Sequence, residues 1–335
     1  MSRITRRTLL GSAGAALPTL VLPRSLSAQS IRRPTVVNGR RYLQYDVFTD
    51  KPLAGNQLAV FLETANLSAA EMQAMTKETR FSECTFVQPA ELAGTDVRLR
   101  IFTPTAEAPF AGHPVIGSAF ALADDGVIKP GRKEFTFGLG IGPTLVELEW
   151  QADRLQFAWM TQQKPAFGPT LDAKGPLAAA LGLEPSAIRP GPLPQEVNCG
   201  SAFFMVPLVS RAAVDQAVVD TRAVGALFEA AKLTRRGLFI FSTEPGADGA
   251  TAYSRMMGAN EDPATGSASG PLGCYLVKHG LVAPDKAGAI VSSQGVKMGR
   301  PSRIHIKIDL TSGEISRVRV GGTSVLVGQG TLRAS

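Results

Sequence analysis

The stretch Glu-Ala-Pro-Phe-Ala-Gly at residues 107–112 returns at residues 261–266 as Glu-Asp-Pro-Ala-Thr-Gly, with Glu, Pro and Gly at the same offsets. The same shift of 154 residues places Leu122 on Leu276 without a gap. One shared residue is compatible with chance, but an ordered series of them indicates a duplication. This spacing is longer than the period of solenoid repeats. Two copies so far apart predict two similar domains. We place them at residues 42–163 and 164–332.

Each copy has the pattern of a strand-rich barrel around a helix. Alternating or apolar runs, such as residues 97–103 and their counterpart at 251–257, are typical of strands. After each repeated turn, residues 114–122 and 268–276 are small or apolar on every side, which predicts a helix that strands enclose and approach closely. Between the halves, residues 164–174 and the Pro/Gly stretch at 190–194 are candidate linkers. The expected fold class is α+β with two pseudo-symmetric halves.

Composition excludes several classes of protein. The chain has 335 residues, of which 44% are hydrophobic, and this excludes a disordered chain. The formal charge of +7 comes from the N-terminus, because residues 1–28 contain four arginines and no acid. From Asp46 onward, 27 basic residues face 28 acidic ones. A neutral body argues against a nucleic-acid or anionic-membrane partner.

The N-terminus has the pattern of an export signal. Arg6 and Arg7 precede a moderately apolar run rich in Gly and Ala, and small residues follow up to Ala28. Paired arginines before a weakly hydrophobic run favour the twin-arginine route, which predicts a periplasmic protein that leaves the membrane once residues 1–28 are removed. The three cysteines, Cys84, Cys199 and Cys274, are too few and too widely spaced for a disulfide framework.

The two repeated turns are candidate binding elements. Each opens a helix, and the free N–H groups and dipole of a helix N-terminus favour an anion. Two such ends across a cleft would bind a small carboxylate. The turns differ in reactive side chains, since His113 aligns with Ser267 and Asp262 aligns with Ala108. Taken alone, His113 could equally be a structural residue, and Asp262 could be a helix cap.

Glu83 is a further candidate that only the first copy carries, since Gly237 stands at the equivalent position. An acid at the start of an apolar strand is partly desolvated, which raises its pKa and suits it to take and return a proton near neutral pH. From the pattern alone, a solvated loop carboxylate is the simpler reading. Asn56, after Gly55, could likewise belong to a turn without chemistry.

Several stretches together resemble the PhzF family, the phenazine-biosynthesis isomerase-like proteins. They are Pro-Leu-Ala-Gly-Asn at 52–56, Phe-Ser-Glu at 81–83, Pro-Phe-Ala-Gly-His-Pro at 109–114 and Glu-Asp-Pro-Ala-Thr-Gly-Ser-Ala at 261–268, with Gln-Gly at 294–295 and Met-Gly-Arg-Pro-Ser at 298–302. The resemblance extends from Asp46 to Leu332. It implies a diaminopimelate epimerase-like fold with the active site between two barrels, no cofactor, and a homodimer.

The resemblance also assigns roles to individual residues. It implies that Glu83 is the general acid/base and that His113 and Asp262 line the catalytic site with it, without a metal. The family's reference reaction isomerises trans-2,3-dihydro-3-hydroxyanthranilate, so a small cyclic carboxylic acid is the expected substrate. The residues expected to bind it are Asn56, Ser82, Gly112, Thr265, Gly266 and Ser267.

Three functions remain compatible with the sequence. The first is a PhzF-like isomerase, and the second is an amino-acid epimerase or racemase on the same fold. Related epimerases use two cysteines, and neither repeated turn contains one, so Glu83 and another group would have to replace the thiols. The third is a periplasmic carboxylate-binding protein without catalysis.

Overall fold

The computed structural model describes residues 39–258 and 261–333. The predicted export signal at residues 1–28 lies outside the described residues. None of the helices in these two segments is both long enough and apolar enough to span a membrane.

Seventeen strands and six α-helices make up the described part of the chain. The strands are β1 (Arg40–Val47), β2 (Asn56–Phe61), β3 (Glu83–Pro89), β4 (Val97–Phe102), β5 (Glu107–Ala108), β6 (Glu134–Leu139), β7 (Gly142–Gln151), β8 (Arg154–Gln162), β9 (Ala166–Thr170), β10 (Gln195–Asn198), β11 (Ala202–Pro207), β12 (Gly237–Ser242), β13 (Ala252–Met257), β14 (Ile290–Gln294), β15 (Ser302–Thr311), β16 (Glu314–Gly322) and β17 (Ser324–Leu332). The helices are α1 (Ala69–Thr79), α2 (Gly112–Asp124), α3 (Lys174–Ala180), α4 (Arg211–Gln216), α5 (Thr221–Ala230) and α6 (Gly266–Lys278).

The strand pairings repeat from one half to the other. In the first half, β2 runs parallel to β3 and β4 parallel to β6, with antiparallel pairs between and after them up to β8. In the second half, β11 is parallel to β12 and β13 to β14, and antiparallel pairs lead to β16. β8 and β16 then pair antiparallel with each other, so the two halves share a continuous sheet.

Two further strands, β9 and β17, extend these pairings. β9 follows β8 and pairs with β10, the first strand of the second half, while β17 follows β16 and returns to pair with β1. The interpretation of residues 164–174 as a linker is therefore wrong, because β9 lies within them. Pro and Gly are tolerated there because β9 pairs through one edge only among the described strands. The domain boundary at residue 164 stays a prediction.

The two central helices, α2 and α6, explain the small residues of the repeated segments. They start at Gly112 and Gly266, 154 residues apart, and nearly all of their residues are buried. A Cβ on Gly117 would lie 2.6 Å from Leu58 Cδ2, and one on Gly273 would lie 2.6 Å from Ile306 Cγ2. Strands thus pack against both helices at distances that larger side chains would prevent.

The outer helix α1 lies directly before β3 in the chain. It begins at a capping box in which Ser68 Oγ accepts a hydrogen bond from the Glu71 N–H, and Glu71 Oε2 accepts one from the Ser68 N–H. It ends at Arg80, which has a left-handed φ of 57°. This reversal lets Glu83 begin β3 only three residues later.

Candidate active site

The N-terminal ends of α2 and α6 meet between the two halves. A Cβ on Gly112 would lie 2.5 Å from both the Gly266 carbonyl carbon and the Ser267 nitrogen, so the two backbones are in contact. Neither helix start is capped by a side chain of its N-cap residue. The N–H groups at the start of both helices, together with both dipoles, make this junction favourable for an anion.

Asn56 connects the groups around this junction. It is buried at the start of β2, and its Nδ2 lies 2.6 Å from Asp262 Oδ1, 2.9 Å from the Ala264 carbonyl and 3.1 Å from His113 Nδ1. Its Oδ1 accepts a hydrogen bond of 3.2 Å from Ser82 Oγ. One amide side chain of the first half therefore contacts the catalytic candidates of both halves.

The turn before α6 is held from within the second half. Thr265 Oγ1 donates to Asp262 Oδ2 at 2.7 Å. Gln294, almost fully buried at the end of β14, donates to the Asp262 carbonyl at 2.7 Å and accepts from the Thr265 N–H at 3.0 Å. Asp262 is thus fixed through both its carboxylate and its backbone.

Glu83 and His113 face each other without a bond. Glu83 Oε2 lies 3.6 Å from His113 Nε2, beyond hydrogen-bond distance. Both atoms are buried, and within the described residues neither has a hydrogen-bond partner. Buried polar atoms are nearly always paired, so two neighbouring unpaired atoms mark this pair as a candidate contact for a ligand's polar or reacting group.

Burial changes the protonation of all three groups. It raises the pKa of Glu83 and lowers the pKa of His113 to about 4. It also raises the pKa of Asp262 to about 6, against the opposing effect of His113 and with a further contribution from the charge of Glu83. Near neutral pH the imidazole is therefore uncharged, and Glu83 has an affinity for protons that allows it to accept and release one.

A family model described as Phenazine biosynthesis-like protein, PhzC-PhzF, matches residues 45–330. The chain belongs to this PhzC-PhzF family. The family expected from the sequence resemblance is thereby confirmed.

Individual relatives agree with this assignment. A trans-2,3-dihydro-3-hydroxyanthranilate isomerase of Pseudomonas chlororaphis is 34% identical over 292 residues, which cover 87% of this chain and 98% of the relative. A predicted epimerase of Pseudomonas aeruginosa with a solved structure is 32% identical at a TM-score of 0.74, covering 88% of this chain and 100% of the other. This similarity supports an isomerase of the PhzC-PhzF family.

A structural relative supports the fold prediction. The phenazine biosynthesis protein of the PhzF family from Bacillus anthracis superposes with a TM-score of 0.78 at 23% identity, covering 88% of this chain and 99% of the other. The predicted diaminopimelate epimerase-like fold is confirmed.

The structure brings the predicted site residues of this PhzC-PhzF protein together. Glu83, His113 and Asp262 lie around Asn56, which Ser82 contacts from the loop before β3. The remaining candidates form the helix junction: Gly112, Thr265, Gly266 and Ser267, all of them buried. Their individual roles in binding and catalysis stay predictions.

The residues alone did not reveal the contribution of Gln294. Its three hydrogen bonds to the turn before α6 span about thirty residues, which no local pattern shows. The signal that was available is the Gln-Gly pair at 294–295, which fits the family pattern without stating a role.

The three cysteines are fully buried in the cores of the two halves. Cys84 packs in the cluster under α1, and Cys199 and Cys274 belong to the core around α6. Across residues 39–258 and 261–333, His, Cys, Asp and Glu side chains form no cluster of three or more that could hold a metal ion.

Proposed function

We propose that this protein is a cofactor-free isomerase that moves a proton, and with it a double bond, within a small cyclic carboxylic acid. The observation that carries the proposal is the unpaired couple of Glu83 Oε2 and His113 Nε2, 3.6 Å apart, beside two abutting helix N-termini. The named activity of the Pseudomonas chlororaphis relative supports the same reaction class.

Substrate binding uses the helix junction. The carboxylate lies against the N–H groups of the first turns of α2 and α6, where the dipoles already favour negative charge. The same groups stabilise the charge that spreads into the carboxylate when a neighbouring carbon loses its proton. Because these donors are part of the backbone, they are in place before the reaction starts.

Glu83 carries the proton. Its carboxylate takes a proton from one ring carbon, and the electrons of that C–H bond form a new double bond to the neighbouring carbon. The electron pair of the existing double bond moves to a second ring carbon. Glu83 then returns the proton to that second carbon, so one C–H bond breaks, one forms, and no electrons leave the substrate. The raised pKa of Glu83 suits both halves of this cycle.

His113 and Asp262 orient the substrate. The uncharged imidazole of His113 offers Nε2 to a polar substituent on the ring. Asp262, held by Asn56 and Thr265, accepts a hydrogen bond from the substrate or relays a proton. The uncharged state of His113 keeps it from forming an ion pair with Glu83, which would lower the affinity of the glutamate for a proton.

We propose that the protein acts in the periplasm, after export by the twin-arginine route, as a homodimer. Export is supported by the paired arginines and apolar run of residues 1–28, and dimerisation by the family resemblance. Light scattering on the purified protein tests the dimer, which a mass near that of one 35.3 kDa chain would exclude.

Proton transfer in deuterated water tests the proposed reaction. The protein is incubated with trans-2,3-dihydro-3-hydroxyanthranilate and related cyclic carboxylates, and NMR locates both the deuterium and the double bonds. We expect a shifted double bond with deuterium at one ring carbon. Deuterium at a stereocentre with unshifted double bonds would instead indicate an epimerase, and binding without exchange would indicate a non-catalytic carboxylate-binding protein.

A further inference from the structure

Asn56 begins β2 directly after a turn whose central residues, 50–53, are exposed. In the turn between β1 and β2, Phe48, Leu53 and Gly55 have positive φ angles, and the Leu53 side chain is 76% exposed. Gly55 cannot carry a side chain, because a Cβ would lie 2.3 Å from the Val47 carbonyl oxygen. The side-chain bonds between Thr49 and Lys51 lie within the turn, whereas the Ala54 and Gly55 carbonyls take their support from outside it.

Arg300, in the turn between β14 and β15, supplies that support from the second half. Its Nε donates to the Gly55 carbonyl at 2.8 Å, and its Nη2 donates to the Ala54 carbonyl at 2.8 Å. These are the two peptide groups directly before Asn56. Nη2 also pairs with Asp46 Oδ1 at 2.6 Å.

Asp46 completes the arrangement from β1. Its side chain is only 2% exposed, and its second oxygen accepts a hydrogen bond of 2.7 Å from the Leu53 N–H. The Gly55 N–H in turn donates to the Pro301 carbonyl at 3.1 Å. The buried charge of Asp46 and the turn are thus both satisfied by one guanidinium, whose planar fork can serve several acceptors at fixed angles.

We propose that Arg300 is a positioning residue that fixes the Asn56 amide across the junction of the two halves and, through Asn56, holds Asp262 and His113 in their active arrangement. The proposal rests on the proposed function for its effect on turnover. Arg300 does not contact the reacting groups, since its bonds end at Asp46 and at the backbone of residues 54 and 55.

The consequence for Asp262 has a defined sign. Asn56 Nδ2 donates to the Asp262 carboxylate and stabilises its charged form, so a displaced Asn56 raises the pKa of Asp262 further. The other groups facing that carboxylate are Thr265 from the start of α6, His113 from α2 and Glu83 from β3. Arg300 substitutions leave these residues unchanged.

Three variants separate geometry from charge. Arg300→Gln removes the charge and the fork, and Arg300→Lys keeps the charge and loses the fork. Arg303→Gln removes a neighbouring arginine whose side chain, among the described residues, donates only to the Asp248 carbonyl. We expect kcat to fall about 10- to 100-fold in both Arg300 variants, with a smaller change in KM, because misplaced catalytic geometry has costs of this size. Arg303→Gln should retain wild-type kcat.

Titration of the Asp262 carboxyl, followed by carbon-13 NMR and assigned with Asp262→Asn, gives a readout independent of any substrate. We expect its midpoint to move to higher pH in Arg300→Lys and Arg300→Gln but not in Arg303→Gln. Should Arg300→Gln prove insoluble, Arg300→Lys and Asp46→Asn provide the same comparison. Wild-type kcat and an unmoved Asp262 midpoint in a folded Arg300 variant would overturn the proposal. If the wild type lacks isomerase activity, the proposed function fails, and the titration alone decides the role of Arg300.

Discussion

His113 Nε2 lies 3.6 Å from Glu83 Oε2, and among the described residues neither buried atom has a hydrogen-bond partner. Leaving a polar atom buried and unpaired costs roughly 1–3 kcal/mol. Glu83 and His113 carry this cost as neighbours, beside two helix ends that favour an anion. A ligand whose polar group bonds to these atoms would remove the cost, which links the stability of the site to its proposed function.

The contact between the two helix starts predicts that Gly112 cannot be enlarged. In Gly112→Ala, the new Cβ would lie 2.5 Å from backbone atoms of Gly266 and Ser267, which have no freedom to rotate away. We expect a loss of about 1–3 kcal/mol in the free energy of unfolding, as for other overpacked sites, together with loss of carboxylate binding. Urea denaturation and calorimetric titration measure the two effects.

Gly175→Ala is the matched control, because a Cβ at this position in α3 meets no atom of the described residues within 4 Å. It should leave binding intact and leave stability equal to or slightly above that of the wild type. Equal effects of the two substitutions would show that the helix junction is not the tight contact described above.

The loss of folding stability at low pH should change in opposite directions when His113 and Asp262 are replaced. Burial lowers the pKa of His113 to about 4, so the unfolded state binds the proton first and stability is lost as pH falls from about 6.5 to about 4. This effect is on the order of 3 kcal/mol. Burial raises the pKa of Asp262 to about 6, so its contribution is greatest below its unfolded pKa and is lost as pH rises through about 6.

We therefore expect His113→Gln to lose less stability than the wild type between about pH 7 and about pH 4, and Asp262→Asn to lose more. Urea unfolding at a series of pH values measures the free energy of unfolding of each protein. The quantity compared is the slope of this free energy against pH, not its absolute value. Parallel pH profiles for all three proteins would contradict the protonation states assigned to the site.

Gln294 should matter for stability as well as for the site. Gln294→Met leaves the Thr265 N–H and the Asp262 carbonyl without these buried partners, which we expect to lower the free energy of unfolding by about 2–4 kcal/mol. Gln88→Met is the control, since that side chain makes one bond to the Thr64 carbonyl and is only partly buried. A cost no greater than the control's would argue against the role of Gln294.

The sequence predicted those parts of the fold and site that leave a repeated or local trace. The shift that aligns residues 107–112 with 261–266 predicted both central helices, and the asymmetry between Glu83 and Gly237 marked the acid. Hydrogen bonds between residues far apart in the sequence leave no such pattern. Asn56 contacts Asp262 across 206 positions, and Arg300 contacts Asp46 across 254.

The pairing partners of β9 and β17 also escaped prediction. β17 pairs with β1 at the far end of the chain, and β9 carries Pro and Gly that are typical of a linker. Pairing partners of this kind depend on how the two halves close on each other, and composition within a window of ten residues does not contain that information.

The export proposal yields a prediction for the cell. Replacing Arg6 and Arg7 together by Lys keeps the charge of the N-terminus but removes the paired arginines of the twin-arginine signal. We expect the double variant to accumulate in the cytoplasm, whereas replacing Arg32 and Arg33, which follow the signal, should leave export unchanged. Cell fractionation with immunoblotting measures both, and equal periplasmic amounts would remove the export proposal.

The most direct test of the account is deuterium transfer by Glu83→Gln compared with the wild type and with Glu78→Gln, an exposed glutamate on α1. Each protein is incubated with trans-2,3-dihydro-3-hydroxyanthranilate in deuterated water, and NMR follows both deuterium incorporation and the shift of the double bond. We predict that Glu83→Gln remains folded and slows both events together, by about 10²- to 10⁴-fold, whereas Glu78→Gln matches the wild type. Deuterium incorporation at the wild-type rate in folded Glu83→Gln would contradict the assignment of Glu83 as the proton carrier.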